Sequence, residues 1–191
     1  MQTVKMVITG PFSAGKTEFI RSISEIEVVS TDQAITSAAE KEVKSATTVA
    51  MDFGRITVDD DLVLYLFGTP GQRRFDFMWR ILRDRAEGMV LLVHNDGPDP
   101  VNAMREFLIE FDDLCRRGGA IVGITRMDVG PGPTLTNYSD VLEFEHPDLT
   151  VPVMAVDPRD RGNMELLMMT MIANLEMRAA YAPELSGGVL A

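Results

Sequence analysis

Residues 10–17 read Gly-Pro-Phe-Ser-Ala-Gly-Lys-Thr and match the phosphate-binding spacing GxxxxGK[ST]. Glycine at both ends lets the backbone curl, so that successive N–H groups face an anion at a helix N-terminus. Lys16 adds a positive charge for the β- and γ-phosphates, and the Thr17 hydroxyl is a ligand for magnesium. The segment therefore predicts a nucleoside triphosphate site, and the alternative is an ordinary glycine turn beside a surface lysine.

The segments on either side of this loop favour the phosphate-binding interpretation. Residues 4–9 form a short β-branched run that predicts a buried strand entering the loop. From Lys16 onward, apolar residues recur at helical spacing and predict a helix over residues 16–24, with Phe19, Ile20, Ile23 and Ile26 on one stripe. Strand, glycine-rich loop and helix are the context that this motif requires.

The composition is that of one globular domain with an acidic surface. The chain has 191 residues, of which 46% are hydrophobic and 25% charged. We expect a single domain over residues 1–180 and a flexible tail over residues 181–191. The net charge of -11 and the absence of a long basic run argue against nucleic acid as a partner.

The sequence also predicts a cytoplasmic protein with no membrane anchor of its own. Its single cysteine, Cys115, suits a reducing compartment and falls on the apolar side of a predicted helix. We expect no signal peptide, no membrane-spanning segment and no lipid anchor, since Gln2 replaces the glycine needed for myristoylation.

The order of elements predicts a doubly wound α/β sheet, mainly parallel, with one antiparallel strand from a hairpin. The hairpin is expected around Asp59 to Asp61, and residues 31–45 are expected to form an exposed loop with some helix. A cap at Asn163 is expected for the last helix. The predicted strands are residues 4–9, 48–58, 62–67, 89–94, 120–125 and 151–156. The further predicted helices are residues 73–85, residues 101–117 and a last helix whose apolar stripe begins at Met164.

Two further segments predict the loops that sense a terminal phosphate. Residues 68–72 read Gly-Thr-Pro-Gly-Gln, and a glycine N–H facing the γ-phosphate followed by a glutamine that orients water is typical of the second switch of Ras-like GTPases. Upstream, Thr48 follows Thr47 where the first-switch threonine should bind magnesium. The pattern thus predicts Gln72, Lys16 and Thr48 as the catalytic groups.

Two later loops predict the binding surface for the base. Thr125-Arg126-Met127-Asp128 follows a buried strand where such proteins usually carry Asn-Lys-x-Asp. The retained carboxylate, Asp128, can accept hydrogen bonds from guanine N1 and N2. Ala155-Val156-Asp157 stands where a base-covering loop is expected.

The chain resembles bacterial small Ras-like GTPases of the MglA type, and is most similar to conservon-type nucleotide-binding proteins. The shared strings are GKT, TTVAMDFG and FGTPGQ, together with Phe12, and the similarity covers residues 3–180. It implies a P-loop NTPase G domain, GTP or GDP with Mg²⁺, a cytoplasmic switch function and a roadblock-type regulatory partner. The implied metal ligands are Thr17 and Thr48, and the implied nucleotide-binding residues are Gly10, Ser13, Ala14, Gly15, Lys16, Thr17, Glu18, Gly71, Thr125, Arg126, Asp128, Val156 and Asp157.

The sequence departs from the usual pattern at three places. Gly68 stands where an aspartate normally holds magnesium through water, and Thr125-Arg126 replaces Asn-Lys. With Asp128 alone, GTP is favoured over ATP but both remain open. Thr47 stands where MglA-type proteins carry a catalytic arginine, so we expect slow hydrolysis. Arg73 and Arg74 are the nearby alternatives, but a solvated helix face is favoured for both.

Two classes of function therefore remain: a slowly hydrolysing GTP switch, and a pseudo-GTPase scaffold with little or no turnover. Lys16, Thr17, Thr48 and Gln72 favour the switch, whereas Gly68 and Thr125 favour the scaffold. Beyond Gln72, three aromatic residues lie within five positions, Phe75, Phe77 and Trp79. They cannot all face inward on one helix, so at least one is expected to be exposed. A partner surface is favoured, and the alternative is that Phe75 and Trp79 pack into the core while Phe77 covers the loop.

Overall fold

The computed structural model describes residues 2–30, 51–72 and 75–185. The polar segment at residues 31–45, both candidate first-switch threonines (Thr47 and Thr48), and Arg73 and Arg74 lie outside these residues. The strands are β1 (Gln2–Thr9), β2 (Val29–Ser30), β3 (Asp52–Thr57), β4 (Leu62–Gly68), β5 (Gly88–His94), β6 (Ala120–Thr125) and β7 (Val153–Ala155), and the helices are α1 (Lys16–Ile23), α2 (Asp76–Arg83), α3 (Pro100–Glu110), α4 (Asp112–Arg116), α5 (Leu135–Glu145) and α6 (Arg161–Leu185).

Within the described residues, the strands form one sheet in the order β2-β3-β4-β1-β5-β6-β7. Strand β3 runs antiparallel to β2 and β4, and the other neighbouring pairs are parallel. The predicted α/β sheet with one antiparallel strand is therefore confirmed. Because the chain leaves β1 toward one edge and later fills the other, β1 and β5 flank the point where connections diverge, which is where ligands bind in such sheets.

The sheet is covered by helices on both faces. Strand β5 divides its side chains between the two layers: Met89, Leu91 and Val93 pack with one cluster, and Val90 and Leu92 with the other. This alternation explains why the central strands read as nearly continuous apolar runs. The first layer includes Trp79, Leu82, Met104, Phe107, Leu114, Tyr138 and Leu142, and the second includes Phe19, Ile20, Ile23, Met164, Leu167, Met168 and Met171.

The helix predicted over residues 101–117 is divided in two at Phe111. Its backbone leaves the helical region there (φ -111°, ψ 28°), between α3 and α4. Phe111 is fully buried, with its ring centroid 6.4 Å from that of Trp79. Cys115 lies on α4 and is buried, as predicted, and burial raises the pKa of its thiol to about 12.

Helix α5 is absent from the elements predicted from sequence. Only Tyr138 and Leu142 of its eleven residues are buried, so its apolar periodicity is weak. Its N-terminal signal is local: Thr134 and Asn137 form a reciprocal capping box. Asparagine in place of the usual glutamate or glutamine makes that signal easy to overlook.

The last helix, α6, differs from expectation at both ends. Asp160 caps its first turn by accepting a hydrogen bond from the Asn163 N–H at 3.1 Å, so the expected cap at Asn163 is wrong. At the other end the helix continues to Leu185, past residue 180. None of the helices in the described part of the chain is both long enough and apolar enough to cross a lipid bilayer.

Candidate functional site

The loop between β1 and α1 is closed around the Lys16 side chain. Lys16 Nζ donates to the Gly10 carbonyl at 2.8 Å and to the Pro11 carbonyl at 2.6 Å. Ser13 and Gly15 have positive φ values of 65° and 100°, which turn the backbone into the first turn of α1. The predicted strand, loop and helix are all present, with the ammonium group held inside the loop.

Burial changes the acidity of Lys16. The side chain is largely enclosed, and the resulting desolvation lowers its pKa from 10.5 to about 8. The nearby Asp52 carboxylate acts in the opposite direction but does not offset the burial. An anion placed beside this ammonium group would favour its charged form, so phosphate binding and the protonation of Lys16 are coupled.

Gly15 brings the phosphate loop against the loop that follows β7. A Cβ added at Gly15 would lie 2.6 Å from Pro158 Cγ, closer than real Cβ contacts allow. Together with its positive φ, this contact explains why position 15 has no side chain. The two loops thus form adjoining walls of one site.

At the phosphate end of the site lies an open cavity of about 460 Å³. Lys16 and Thr17 form one wall, and Gly71 and Gln72 approach from the segment after β4. Its full lining is Phe12, Ser13, Gly15, Lys16, Thr17, Glu18, Asp52, Thr69, Pro70, Gly71, Gln72, Phe75 and Arg126.

Gly71 lies directly on the phosphate loop. A Cβ added there would be 2.6 Å from the Phe12 amide nitrogen and 2.7 Å from Lys16 Nζ. The neighbouring Pro70 carbonyl accepts a hydrogen bond from Trp79 Nε1 at 2.9 Å. Residues 70 and 71 are therefore held between helix α2 and the ammonium group of Lys16.

The three aromatic residues after Gln72 have separate positions. Phe75 and Trp79 are buried, and the Trp79 ring packs 4.8 Å from that of Phe107. Phe77 is 52% exposed, and Ile81, one turn later on the helix, is 64% exposed. The expectation that at least one aromatic remains exposed is met by Phe77.

A second cavity, of about 770 Å³, adjoins the first and shares Ser13, Gly15, Glu18 and Arg126 with it. It is formed by the ends of β6 and β7, where the sequence predicts the base. The lining includes Ala14, Asp96, Thr125, Met127, Asp128, Val129, Ala155, Val156, Asp157, Pro158, Arg159 and Asn163.

Thr125 and Arg126 both bind the main chain of the phosphate loop. The Thr125 hydroxyl donates to the Ala14 carbonyl at 3.3 Å, and both groups are buried. Arg126 donates to the carbonyl and hydroxyl oxygens of Ser13 at 2.9 and 3.0 Å. A second nitrogen of Arg126 contacts the Asp96 carboxylate at 3.2 Å. The residues that replace Asn-Lys therefore connect the end of β6 to the phosphate loop.

The carboxylates of the base cavity differ in their partners. Asp157 accepts from Arg159 at 2.7 Å, and this hydrogen bonding lowers the pKa of Asp157 to about 2. The Asp96 carboxyl has a lowered pKa because His94 and Arg126 both bind it. The hydrogen bond to Asp157 is the main cause of the raised pKa of Arg159, and the charge of the exposed Asp128 makes a smaller contribution in the same direction. Asp128 and the Asp157–Arg159 pair thus line the same base cavity.

The oxygen atoms at the phosphate end suit a hard divalent cation. The Thr17 hydroxyl donates to Asp52 Oδ2 at 2.6 Å, and both residues line the cavity. Among the described residues, no three histidine, cysteine or acidic side chains are grouped so that they could hold a metal ion by themselves. Magnesium commonly uses only one or two protein oxygens together with phosphates and water, so this donor set fits a nucleotide-bound Mg²⁺.

All the candidate nucleotide-binding residues predicted from sequence, except Gly10, line the two adjoining cavities. Gly10 lines neither cavity, and its carbonyl accepts a hydrogen bond from Lys16 Nζ. Thr48, predicted as both catalytic and a metal ligand, is outside the described residues. Sequence reasoning missed Asp52, Asp96, Pro158 and Arg159. Asp52 could have been identified from sequence, because Gly68 lacks the usual carboxylate and Asp52 is an acidic residue on the strand predicted to pair with it.

Two solved structures with similar folds are a transporter G domain and a small GTPase. The G domain of the FeoB iron transporter of T. maritima is 15% identical, with a TM-score of 0.61 over 91% of this chain and 99% of its own. The small GTPase Arl6 from Trypanosoma brucei, solved with the nucleotide analogue GppNp, is also 15% identical. Its TM-score is 0.67, over 93% of this chain and 99% of its own. These similarities establish a P-loop GTPase-like fold.

Sequence comparison identifies a family. The uncharacterized protein MJ1339 of Methanocaldococcus jannaschii is 36% identical over 153 residues, which are 80% of this chain and 86% of that protein. A family model described as "conserved hypothetical ATP binding protein" matches residues 8–176, a range that contains the phosphate loop and both cavities. The chain belongs to this family of conserved hypothetical ATP-binding proteins.

Proposed function

We propose that this protein is a nucleotide-dependent switch that binds GTP with magnesium and hydrolyses it slowly. The observation that carries the proposal is the contact of Gly71 with the phosphate loop at Phe12 and Lys16. Lys16 is the residue expected to bind the terminal phosphate, and residue 71 lies against its ammonium nitrogen.

The position of Gly71 supports a difference between the diphosphate and triphosphate complexes. A γ-phosphate bound to Lys16 needs space that residue 71 adjoins, so residues 70–72 have to move or donate the Gly71 N–H to it. The Pro70–Trp79 hydrogen bond would carry such a movement to helix α2. A loop that changes position with the terminal phosphate is the mechanism of a GTPase switch.

Guanine is the base that the cavity chemistry favours. Asp128 is an exposed carboxylate in the base cavity, and guanine offers it two donors, N1–H and the N2 amine. Adenine presents an acceptor at N1, which a carboxylate repels. We expect Asp128→Asn to reduce the preference for GTP over ATP by about 10-fold or more, as for loss of a hydrogen bond worth 1–3 kcal/mol. An unchanged ratio of GTP to ATP affinity in Asp128→Asn would remove Asp128 from base selection. Native protein that binds ATP more tightly than GTP would contradict the guanine preference and agree with the ATP binding named in the family's description.

Slow hydrolysis follows from the charges around the phosphate cavity. Gln72 lines it and can orient water, but its only described cationic residues are Lys16 and Arg126. Arg126 is held by Ser13 and Asp96. Magnesium, when bound, would neutralise developing charge on the phosphates. With no free arginine among the described residues of this cavity, we expect turnover near the intrinsic Ras rate of roughly 10⁻⁴ s⁻¹.

The experiment is titration calorimetry of nucleotide-free protein with GTP, GDP and ATP, each with and without Mg²⁺, followed by turnover measurements. We expect magnesium-dependent binding that favours guanine nucleotides. Lys16→Ala should abolish triphosphate binding, and Gln72→Leu should stop turnover while leaving binding unchanged. Triphosphate binding that survives Lys16→Ala would contradict the proposed phosphate site.

A pseudo-GTPase scaffold is the second candidate, and the engagement of Arg126 by Ser13 and Asp96 favours it. Such a protein would hold nucleotide without cycling. Single-turnover measurement with radiolabelled GTP separates the two: release of phosphate above the rate of the Gln72→Leu variant supports the switch, and identical rates support the scaffold.

We further propose a cytoplasmic, MglA-like role with a roadblock-type regulator, on the basis of the sequence resemblance. The exposure of Phe77 and Ile81, one turn apart on α2 beside the segment at residues 70–72, supports a partner surface there. Binding of a candidate regulator that depends on the terminal phosphate and is lost in Phe77→Ala would support it. Binding unaffected by both would exclude this surface.

A further inference from the structure

Strand β4 ends at Gly68, where Ras-like GTPases usually carry an aspartate, and Asp52 of the adjacent strand β3 fills that place. Gly68 is directly opposite Asp52 in the antiparallel pairing of β3 with β4. A Cβ added at Gly68 would lie 3.1 Å from Asp52 Cβ and 3.4 Å from Asp52 Oδ2. The Asp52 side chain therefore occupies the space that a residue 68 side chain would enter.

The Asp52 carboxylate also reaches the predicted metal ligand of the phosphate loop. Its Oδ2 accepts a hydrogen bond from the Thr17 hydroxyl at 2.6 Å. Both residues line the phosphate cavity, and the charge of Asp52 acts to raise the pKa of Lys16, against the larger effect of burial. The Thr17 oxygen keeps lone pairs for a metal while its hydrogen is donated to the carboxylate.

We propose that Asp52, from β3, supplies the carboxylate of the magnesium site that Gly68 cannot supply from β4. This inference rests on the proposed nucleotide function. The carboxylate adds negative charge beside the Thr17 hydroxyl and orients that hydroxyl through their hydrogen bond. Groups that orient a metal ligand in this way typically change metal affinity by about 10–100-fold when they are removed.

The primary variant is Asp52→Asn, which removes the charge while keeping the size and an acceptor oxygen for Thr17. The readout is metal binding: Mn²⁺ titration of the protein–GDP complex by electron paramagnetic resonance, and the Mg²⁺ dependence of release of a fluorescent GDP analogue. We expect metal affinity to fall about 10–100-fold. In EDTA, GDP release should match the native protein, which shows that the fold is intact.

Asp60→Asn is the matched control. Asp60 lies at the exposed tip of the β3–β4 hairpin, and its replacement changes the net charge by the same amount. We expect its metal affinity to equal that of the native protein. A similar loss in both variants would indicate a general effect of charge and overturn the assignment.

A double variant, Asp52→Gly with Gly68→Asp, moves the carboxylate from β3 to β4. Removing the Asp52 side chain opens the space beside position 68, and the remaining close contact is the flexible end of Ile20, 3.0 Å from the added Cβ. We expect the double variant to bind metal at least about 10-fold more tightly than Asp52→Gly alone. Failure of this rescue, with GDP binding in EDTA retained, would count against a shared site.

The outcomes separate this inference from the proposed function. Native protein that binds no nucleotide, with or without Mg²⁺, overturns both. Native protein that binds GDP with Mg²⁺, together with an Asp52→Asn variant of unchanged Mn²⁺ affinity, overturns only the role of Asp52. If Asp52→Asn loses GDP binding in EDTA as well, the double variant decides: recovery of Mn²⁺ affinity supports the role, and no recovery overturns it.

Discussion

Trp79 Nε1 donates a hydrogen bond to the Pro70 carbonyl at 2.9 Å and so connects helix α2 to the residue beside Gly71. Trp79 is the only tryptophan in the chain, and it is buried against Phe107. Its indole therefore lies next to the segment at residues 70–72, for which we propose a response to a terminal phosphate.

This relationship predicts an intrinsic fluorescence signal. Exchange of GDP for a non-hydrolysable GTP analogue should shift or quench the Trp79 emission, because movement at residue 71 changes the Pro70 hydrogen bond. Trp79→Phe is the control and should remove the signal. Identical emission spectra in both nucleotide states would show that residues 70 and 71 do not move.

The lowered pKa of Lys16 predicts a pH dependence of nucleotide affinity. In the free protein burial lowers this pKa to about 8, and bound phosphate should raise it again by favouring the ammonium form. Affinity should therefore be constant below about pH 8 and decrease by up to about tenfold per pH unit above it, with proton uptake on binding. Calorimetry at pH 8.5 in buffers of different ionisation enthalpy measures that uptake.

The same shift has a consequence for the stability of the nucleotide-free protein. Because the Lys16 pKa is lower in the folded state than in the unfolded state, the unfolded chain binds more protons between about pH 8 and 10.5. The contribution of Lys16 to stability should rise with pH across that window. Lys16→Met should remove this rise, and denaturant midpoints at a series of pH values would reveal it; an unchanged profile would contradict the burial.

Arg126→Ala should weaken binding of GTP and ATP to a similar extent. The variant loses the hydrogen bonds to Ser13 and the contact with Asp96, which support the phosphate loop rather than the base. We expect about a tenfold loss, as for one net hydrogen bond of about 1.5 kcal/mol, with Arg126→Lys restoring part of it. A loss confined to GTP would assign Arg126 to base recognition instead.

Gly15→Ala should destabilise the protein, and replacement of Pro158 should partly relieve it. The positive φ of 100° costs a non-glycine residue about 1–2 kcal/mol. The added Cβ also lies 2.6 Å from Pro158 Cγ, an atom that Pro158→Ala removes. Denaturant unfolding of both single variants and the double variant should reveal a coupling of about 0.5–3 kcal/mol, and strictly additive effects would contradict the contact.

Local patterns were enough to predict most of the fold. Strand β6 has the predicted bounds, and α1 differs from prediction by one residue. Buried strands and amphipathic helices carry their signal in neighbouring residues, so periodicity identifies them. Helix α5 was missed because only two of its residues are buried. The break at Phe111 was missed because no glycine or proline marks it in the sequence.

The candidate site likewise has features that the sequence determined and features that only the tertiary structure decided. By itself, the sequence determined the phosphate loop around Lys16 and the two-sided burial of the central strands, since both depend on residue types at short spacing. Only the tertiary structure decided that Asp52 stands beside Thr17 and that Arg126 binds Ser13. Those contacts join residues 35 and 113 positions apart, and their existence depends on strand register and loop packing.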